Sequence, residues 1–257
     1  MFFMRLRRHA KSVFLVLAGV FAFTFLFAGV GTGTGAGDLI QQLLGMRGSD
    51  PVKSAENDVK DHPRNLQMLI SLAQLYQSKG REDDAVTMFE RALKVNPRST
   101  TALTQLGQIW QQRADARWQT VVQAQAAYQD ASGVTGGGLL GSDPLRGSAA
   151  ESAYQELETA YLSYMIAGRA WVQQEQRLEQ ASGKNVLEKA PAELRLAGAA
   201  VTVYQNAAQL GRAADVARER AIALTALKTY LRVAPKGADA KAVRSAVKQL
   251  EKASPAG

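Results

Sequence analysis

By side-chain type, the two histidines of this 257-residue chain are its best candidates for acid–base or metal chemistry near neutral pH. His9 stands in a run of cations, and His62 stands beside Pro63. Neither has a second ligand of suitable type at metal-binding spacing, and no His-Glu-x-x-His pair occurs. Cysteine is absent, which removes disulfides, thiolate zinc sites, iron–sulfur clusters and cysteine nucleophiles together. The clustered carboxylates Glu82, Asp83 and Asp84 open a helical pattern, where the positive end of the helix dipole favours negative charge. That placement accounts for them without catalysis.

Two glycine-rich stretches could cradle a phosphate. GTGTGAG, from Gly31 to Gly37, lacks the Gly-Lys-Ser/Thr of a P-loop and follows no strand. Its glycines suit a flexible neck. Gly136-x-Gly138-x-x-Gly141 meets the bare spacing of a dinucleotide site, but it follows a helical segment and reads as a surface loop. No catalytic residue, cofactor or metal is expected, and the chain reads as a non-enzyme.

The elements around these residues are helical. Hydrophobic residues make up 46% of the chain, and beyond residue 30 they are mostly Ala and Leu interleaved with Gln, Arg and Glu, all strong helix formers. The net charge is +8, of which Arg5, Arg7, Arg8 and Lys11 supply four. The remainder reads as charge dispersed over a mildly basic domain, so no nucleic-acid partner is expected.

Val13 to Val30 reads VFLVLAGVFAFTFLFAGV, with no charge. Eighteen helical residues rise about 27 Å, close to the hydrocarbon thickness of a bilayer. A cleaved signal peptide would have a shorter apolar run and an Ala-x-Ala-like site, whereas this run ends Phe27-Ala28-Gly29-Val30-Gly31. The expectation is therefore a basic cytoplasmic tail (1–11), a transmembrane anchor (12–30), and a Gly-rich linker (31–50) holding a short amphipathic helix at Asp38–Leu44. By the positive-inside rule, everything after the anchor lies on the extracytoplasmic face.

Residues 51–252 then form the helical domain. From Leu66 to Ser99, Leu69, Leu72, Ala73 and Tyr76 share one helix face, and Ala85, Phe89 and Ala92 share another. Gly80 breaks between the two helices, and Asn96-Pro97 ends the second. A helix–turn–helix unit of this length and pattern resembles the tetratricopeptide repeat, with eight positions agreeing at Leu69, Leu72, Ala73, Tyr76, Ala85, Phe89, Ala92 and Pro97. A second unit begins in phase at Leu103, Leu106, Gly107 and Trp110, then departs. No turn follows Trp110, and the helix runs on to about Tyr128. A glycine-rich break spans Gly133 to Gly147, and a second long helix runs from about Ser148 to Gln180. Ala192–Leu210 and Ala213–Val233 pair around Gly211, with Tyr230 where the family prefers a small residue. Ala238–Lys252 closes the array.

The expected fold is all-α: a tetratricopeptide-like solenoid of helical hairpins with an extended middle hairpin, preceded by one transmembrane helix. It comprises one clear repeat (66–99), degenerate repeats (100–180 and 192–235) and a capping helix (238–252). The resemblance implies a protein or peptide partner bound in a groove lined by first helices. By position the groove residues are Gln67, Ile70, Gln74, Gln77, Thr101, Thr104, Gln108 and Gln111. A carboxylate clamp of the kind that binds chaperone tails would need a Lys near Ile70 and an Asn near Gln74, and neither is present. The alternative for these side chains is packing against the inserted hairpin. The functional expectation is a membrane-anchored interaction scaffold in a bacterial cell envelope. The alternative is a translocon-associated, chaperone-like helper for exported proteins, which the order of tail, anchor and helical domain resembles.

Overall fold

The computed structural model describes residues 50–133, 144–183 and 185–252. The basic tail, the anchor, nearly all of the linker and the glycine motif at 136–141 lie outside them. Among the described residues there are eight α-helices, one 3₁₀ turn and no strand. None of these helices is long and apolar enough to cross a membrane. They are α1 (Pro51–Asp61), α2 (Leu66–Ser78), α3 (Glu82–Val95), α4 (Thr100–Gly133), α5 (Pro144–Ala181), α6 (Val186–Gln209), α7 (Ala217–Val233) and α8 (Ala240–Lys252), with the 3₁₀ turn at Ala213–Val216. From α2 onward each helix packs on the next.

The repeat forms as its residue types dictate. Asn65 caps α2 by accepting the Met68 N–H at 3.2 Å. Gly80 takes φ +72°, the left-handed conformation that glycine adopts without a Cβ penalty, and so allows the tight turn into α3. Asn96 is extended ahead of Pro97, which stops α3. Leu69, Leu72, Ala73, Tyr76, Ala85, Phe89 and Ala92 are all buried between the two helices. Helix α1 docks on them through Val52 and Val59, and its Glu56 accepts a 2.7 Å hydrogen bond from the Tyr76 hydroxyl.

The second unit is built on two helices of unusual length, 34 residues in α4 and 38 in α5. Each runs about a turn further than the sequence pattern predicts, because Gly133 and Pro144 suit helix ends. The base of this hairpin is core: Ala114 and Val121 of α4 and Ala160, Tyr164 and Val172 of α5 are buried. The distal part is an arm of two helices alone. No described side chain of α4 after Val121, or of α5 before Ala160, is buried. A tilted contact between the Tyr128 and Tyr154 rings, 5.7 Å between centroids, joins the two helices of the arm.

Two features of the last helices differ from expectation. Helix α6 starts at Val186 rather than Ala192 and carries Pro191 within it. The proline forgoes one bond, to the carbonyl of Leu187, in a first turn whose Leu187 side chain is 83% exposed. Tyr230, out of place for the family pattern, is buried against Gly237, where a Cβ would come within 2.5 Å of its hydroxyl. Glycine at 237 makes the room that a small residue at 230 would otherwise provide. Helix α8 covers the end of the array with Ala240, Val243, Val247 and Leu250 buried, and Arg220 donates to its terminal Leu250 carbonyl at 2.6 and 2.9 Å.

The apolar interior falls into two clusters. One gathers α1, α2, α3 and the first part of α4; the other gathers α4 to α8. Helix α4 contributes Leu103, Leu106 and Ile109 to the first and Ala114 and Val121 to the second. Helix α5 contributes Leu178 to the first and Tyr164 and Val172 to the second. Between those two stretches of α5 lie the buried polar residues Gln174 and Glu175. Glu175 is paired in bidentate fashion with Arg195 of α6, at 2.7 and 2.9 Å.

Candidate protein-binding surfaces

The eight side chains expected to line a first-helix groove do not share one environment. Gln67, Thr101, Gln108 and Gln111 are exposed, while Gln74, Gln77 and Thr104 are half-buried. Ile70 is a core residue at 6% exposure. The α4 members occupy the opposite side of that helix from the strip that packs on α3.

That second strip makes a different groove. Along α4, the face that meets α3 includes Ala102, Leu106 and Ile109, and helical spacing carries it on to Arg113, Arg117, Thr120, Ala124 and Ala127. Helix α3 begins at Glu82, opposite Arg113, so the continuation of the strip has no α3 over it. The result is an open channel between α4 and α5. A cavity of about 460 Å³ by the start of α3 is lined by Glu82, Asp83, Trp110, Arg113 and Ile166, among others. It joins a cavity of about 730 Å³ along the hairpin, since Arg117, Thr120 and Ser163 line both.

The walls are small and polar, with hydroxyls at Thr120, Ser152, Thr159 and Ser163. Arg117 and Glu156 are exposed on facing walls, and neither has an ion-pair partner among the described residues. At the α3 end, Arg113 is fixed by Asp83 at 2.7 Å and Glu82 at 3.3 Å, and its guanidinium stacks 5.0 Å from the centre of the Trp110 ring. The acidic start of α3 thus also sets the entrance to the channel. Leu162 and Ile166, one turn apart on α5, are 59% and 71% exposed at its edge. Sequence spacing could not give this groove. Its only trace is the missing turn after Trp110.

Tyr164 is partnered behind the channel, whereas the buried Trp171 Nε1 and Glu219 Oε2 have no hydrogen-bond partner among the described residues. The Tyr164 hydroxyl accepts from Asn206 at 3.0 Å, and its ring meets Trp118 at 5.2 Å. Burial pushes the Tyr164 phenol up to about 12. Burial and the Glu56 hydrogen bond do the same for Tyr76, also to about 12. Tyr161 is raised as well, by burial and by Asp215, to which it donates at 3.3 Å. Burial raises the Glu193 carboxyl against the opposing pull of Lys189. Among the described residues, no group of three or more His, Asp or Glu is arranged to hold a metal ion.

Residues 66–109 match the family model described as tetratricopeptide repeat. The match spans α2, α3 and the part of α4 that belongs to the first core. The comparison with curated proteins gave no match.

One charge expectation needs correction. The positive charge of the helical domain is not dispersed. Residues 217–252, which are α7 and α8 with their link, hold nine Lys or Arg against three Asp or Glu.

Proposed function

We propose that this chain is a non-catalytic scaffold that holds a protein partner in the α4–α5 channel beside its tetratricopeptide repeat. It is tethered to a membrane by residues 12–30, with the helical domain on the extracytoplasmic side. The observation that carries the reading is the channel itself: a strip of α4 that takes α3 over its first half and lies open over its second. The match of residues 66–109 to a repeat that generally serves protein binding supports the same reading. So do the exposed Leu162 and Ile166 at the channel's edge, since apolar side chains rimmed by polar ones suit a protein contact. The uncharged run Val13–Val30 behind four cations supports the tether and its orientation.

The test is site-specific photo-crosslinking of the full-length protein in its own cells, with the reactive group at Thr120, at Gln108 or at the exposed control Lys94. A discrete adduct at Thr120 and none at Lys94 supports channel binding. An adduct at Gln108 alone moves the interface to the first-helix groove. No adduct at either position counts against the scaffold. A broad ladder of exported chains at Thr120 favours the chaperone-like alternative. Extraction of the same cells at alkaline pH tests the tether separately, since an anchored chain stays with the membrane.

A further inference from the structure

The cations of the last two helices form a surface that the channel does not use. Residues 217–252 sum to +6, whereas residues 12–216 sum to −2. Not all nine cations are available. Arg220 is spent on the Leu250 carbonyl, Arg244 donates to the Pro235 carbonyl at 2.7 Å, and Lys228 pairs with Glu251 at 2.7 Å. Of the others, Arg218, Arg232 and Lys236 are exposed on α7 and its link to α8, and Lys241, Lys248 and Lys252 form a row on α8 that the engaged Arg244 completes. Lys241, Arg244, Lys248 and Lys252 recur every three or four residues and so share one face, opposite the buried Ala240, Val243, Val247 and Leu250. All four are exposed, and Lys241, Lys248 and Lys252 have no ion-pair partner among the described residues. The row is about 16 Å long at 1.5 Å per residue.

We propose that this row adsorbs to an anionic lipid surface. Three observations favour headgroups over other anions. The free cations of the row are lysines, flexible point charges that suit a fluid array of phosphates better than a fixed bidentate site would. None of the exposed large apolar side chains lies on α7 or α8, so the face lacks an anchor for a protein interface and a platform for stacking bases. The apolar face of α8 is already buried, so the helix rests on the surface without inserting, and its attachment is electrostatic and salt-sensitive.

The experiment uses the full-length chain mixed with vesicles of neutral phosphatidylcholine, or of phosphatidylcholine with phosphatidylglycerol. Lysines are then acetylated briefly and quantified by mass spectrometry. Expected is at least threefold less labelling of Lys241, Lys248 and Lys252 on the anionic vesicles, lost again in high salt, with Lys79 and Lys94 unchanged. Lys241→Glu combined with Lys248→Glu should abolish the protection of Lys252 without moving the thermal midpoint. Equal labelling on the two vesicle types overturns the proposal. So does protection by polyglutamate or single-stranded RNA with none by anionic vesicles, which would reassign the row to an acidic protein or a nucleic acid. Flotation with the neutral vesicles reports on the tether alone, so failure of the tether and failure of the row are read apart.

Discussion

The carboxylate of Glu175 lies against the bare Cα of Gly107: a Cβ built there would come within 2.7 Å of Oε1. The repeat pattern prefers a small residue at this position, and here the reason is a salt bridge from two helices further on. Glu175 is 2% exposed and reaches Arg195 with both oxygens. Gly107→Ala should therefore destabilise the protein by about 1 kcal/mol, the crowding outweighing the better helix propensity. In a Glu175→Ala background the sign should reverse, with Gly107→Ala now stabilising by about 0.5–1 kcal/mol. Glu175→Ala alone should cost about 2 kcal/mol, limited because Arg195 keeps access to water. Chemical denaturation of the four variants closes the cycle, and a coupling near zero would show that Glu175 does not constrain Gly107.

Charge and bulk in the channel should matter to partner binding and not to folding. Arg117→Glu and Thr120→Trp alter exposed positions, so each should leave stability within about 0.5 kcal/mol. With the reactive group moved to Gln123, another exposed lining position, each should reduce the channel adduct at least tenfold. Loss of adduct together with a fall in thermal midpoint would point to misfolding instead.

The raised phenols make a prediction at alkaline pH. Tyr76 and Tyr164 have folded pKa values near 12, above the ordinary 10.0, and Tyr161 is raised in the same direction. The folded state thus holds these protons more tightly than the unfolded chain. Their contribution to stability is complete below pH 10 and is lost as pH rises from there through about 12. Absorbance titration of phenolate should show delayed ionisation that merges with unfolding. Tyr76→Phe should flatten part of that alkaline loss.

The arm beyond Val121 and Ala160 should open on its own. Tyr154→Ala removes the ring contact with Tyr128 and should cost less than about 1 kcal/mol globally. Amide exchange in residues 122–133 and 148–156 should nevertheless accelerate, while α2 and α3 keep their protection. Uniform acceleration through the domain would instead make the arm part of the global folding unit.

How much of this was legible depended on whether the signal was local. Gly80, Pro97 and the Leu69–Phe89 face mark the repeat within one window, and α8 shows its apolar stripe just as plainly. Helix α1 leaves little trace in the sequence, because it offers only Val52 and Val59, seven residues apart, and has its Glu56 partner twenty residues away at Tyr76. The start of α6 is masked in the sequence, because Pro191 reads as a helix boundary yet sits where a single backbone bond is lost. The Glu175–Arg195 pair leaves no trace in either helix's periodicity. Ile70 reads as a groove position by family register but is buried in the first core. The channel exists only because α4 outlasts α3, a relation between two helices that neither carries alone.

Helix α4 is one unbroken rod with its root in the first core and its far end in the arm. Roughly 40 Å of it lies beyond Leu106 at 1.5 Å per residue, so a tilt of about 5° at the root sweeps the tip through about 3.5 Å. The repeat and the arm are in this sense the short and long limbs of a lever. A partner that nudges the packing around Leu106 would be felt, amplified, at the far end.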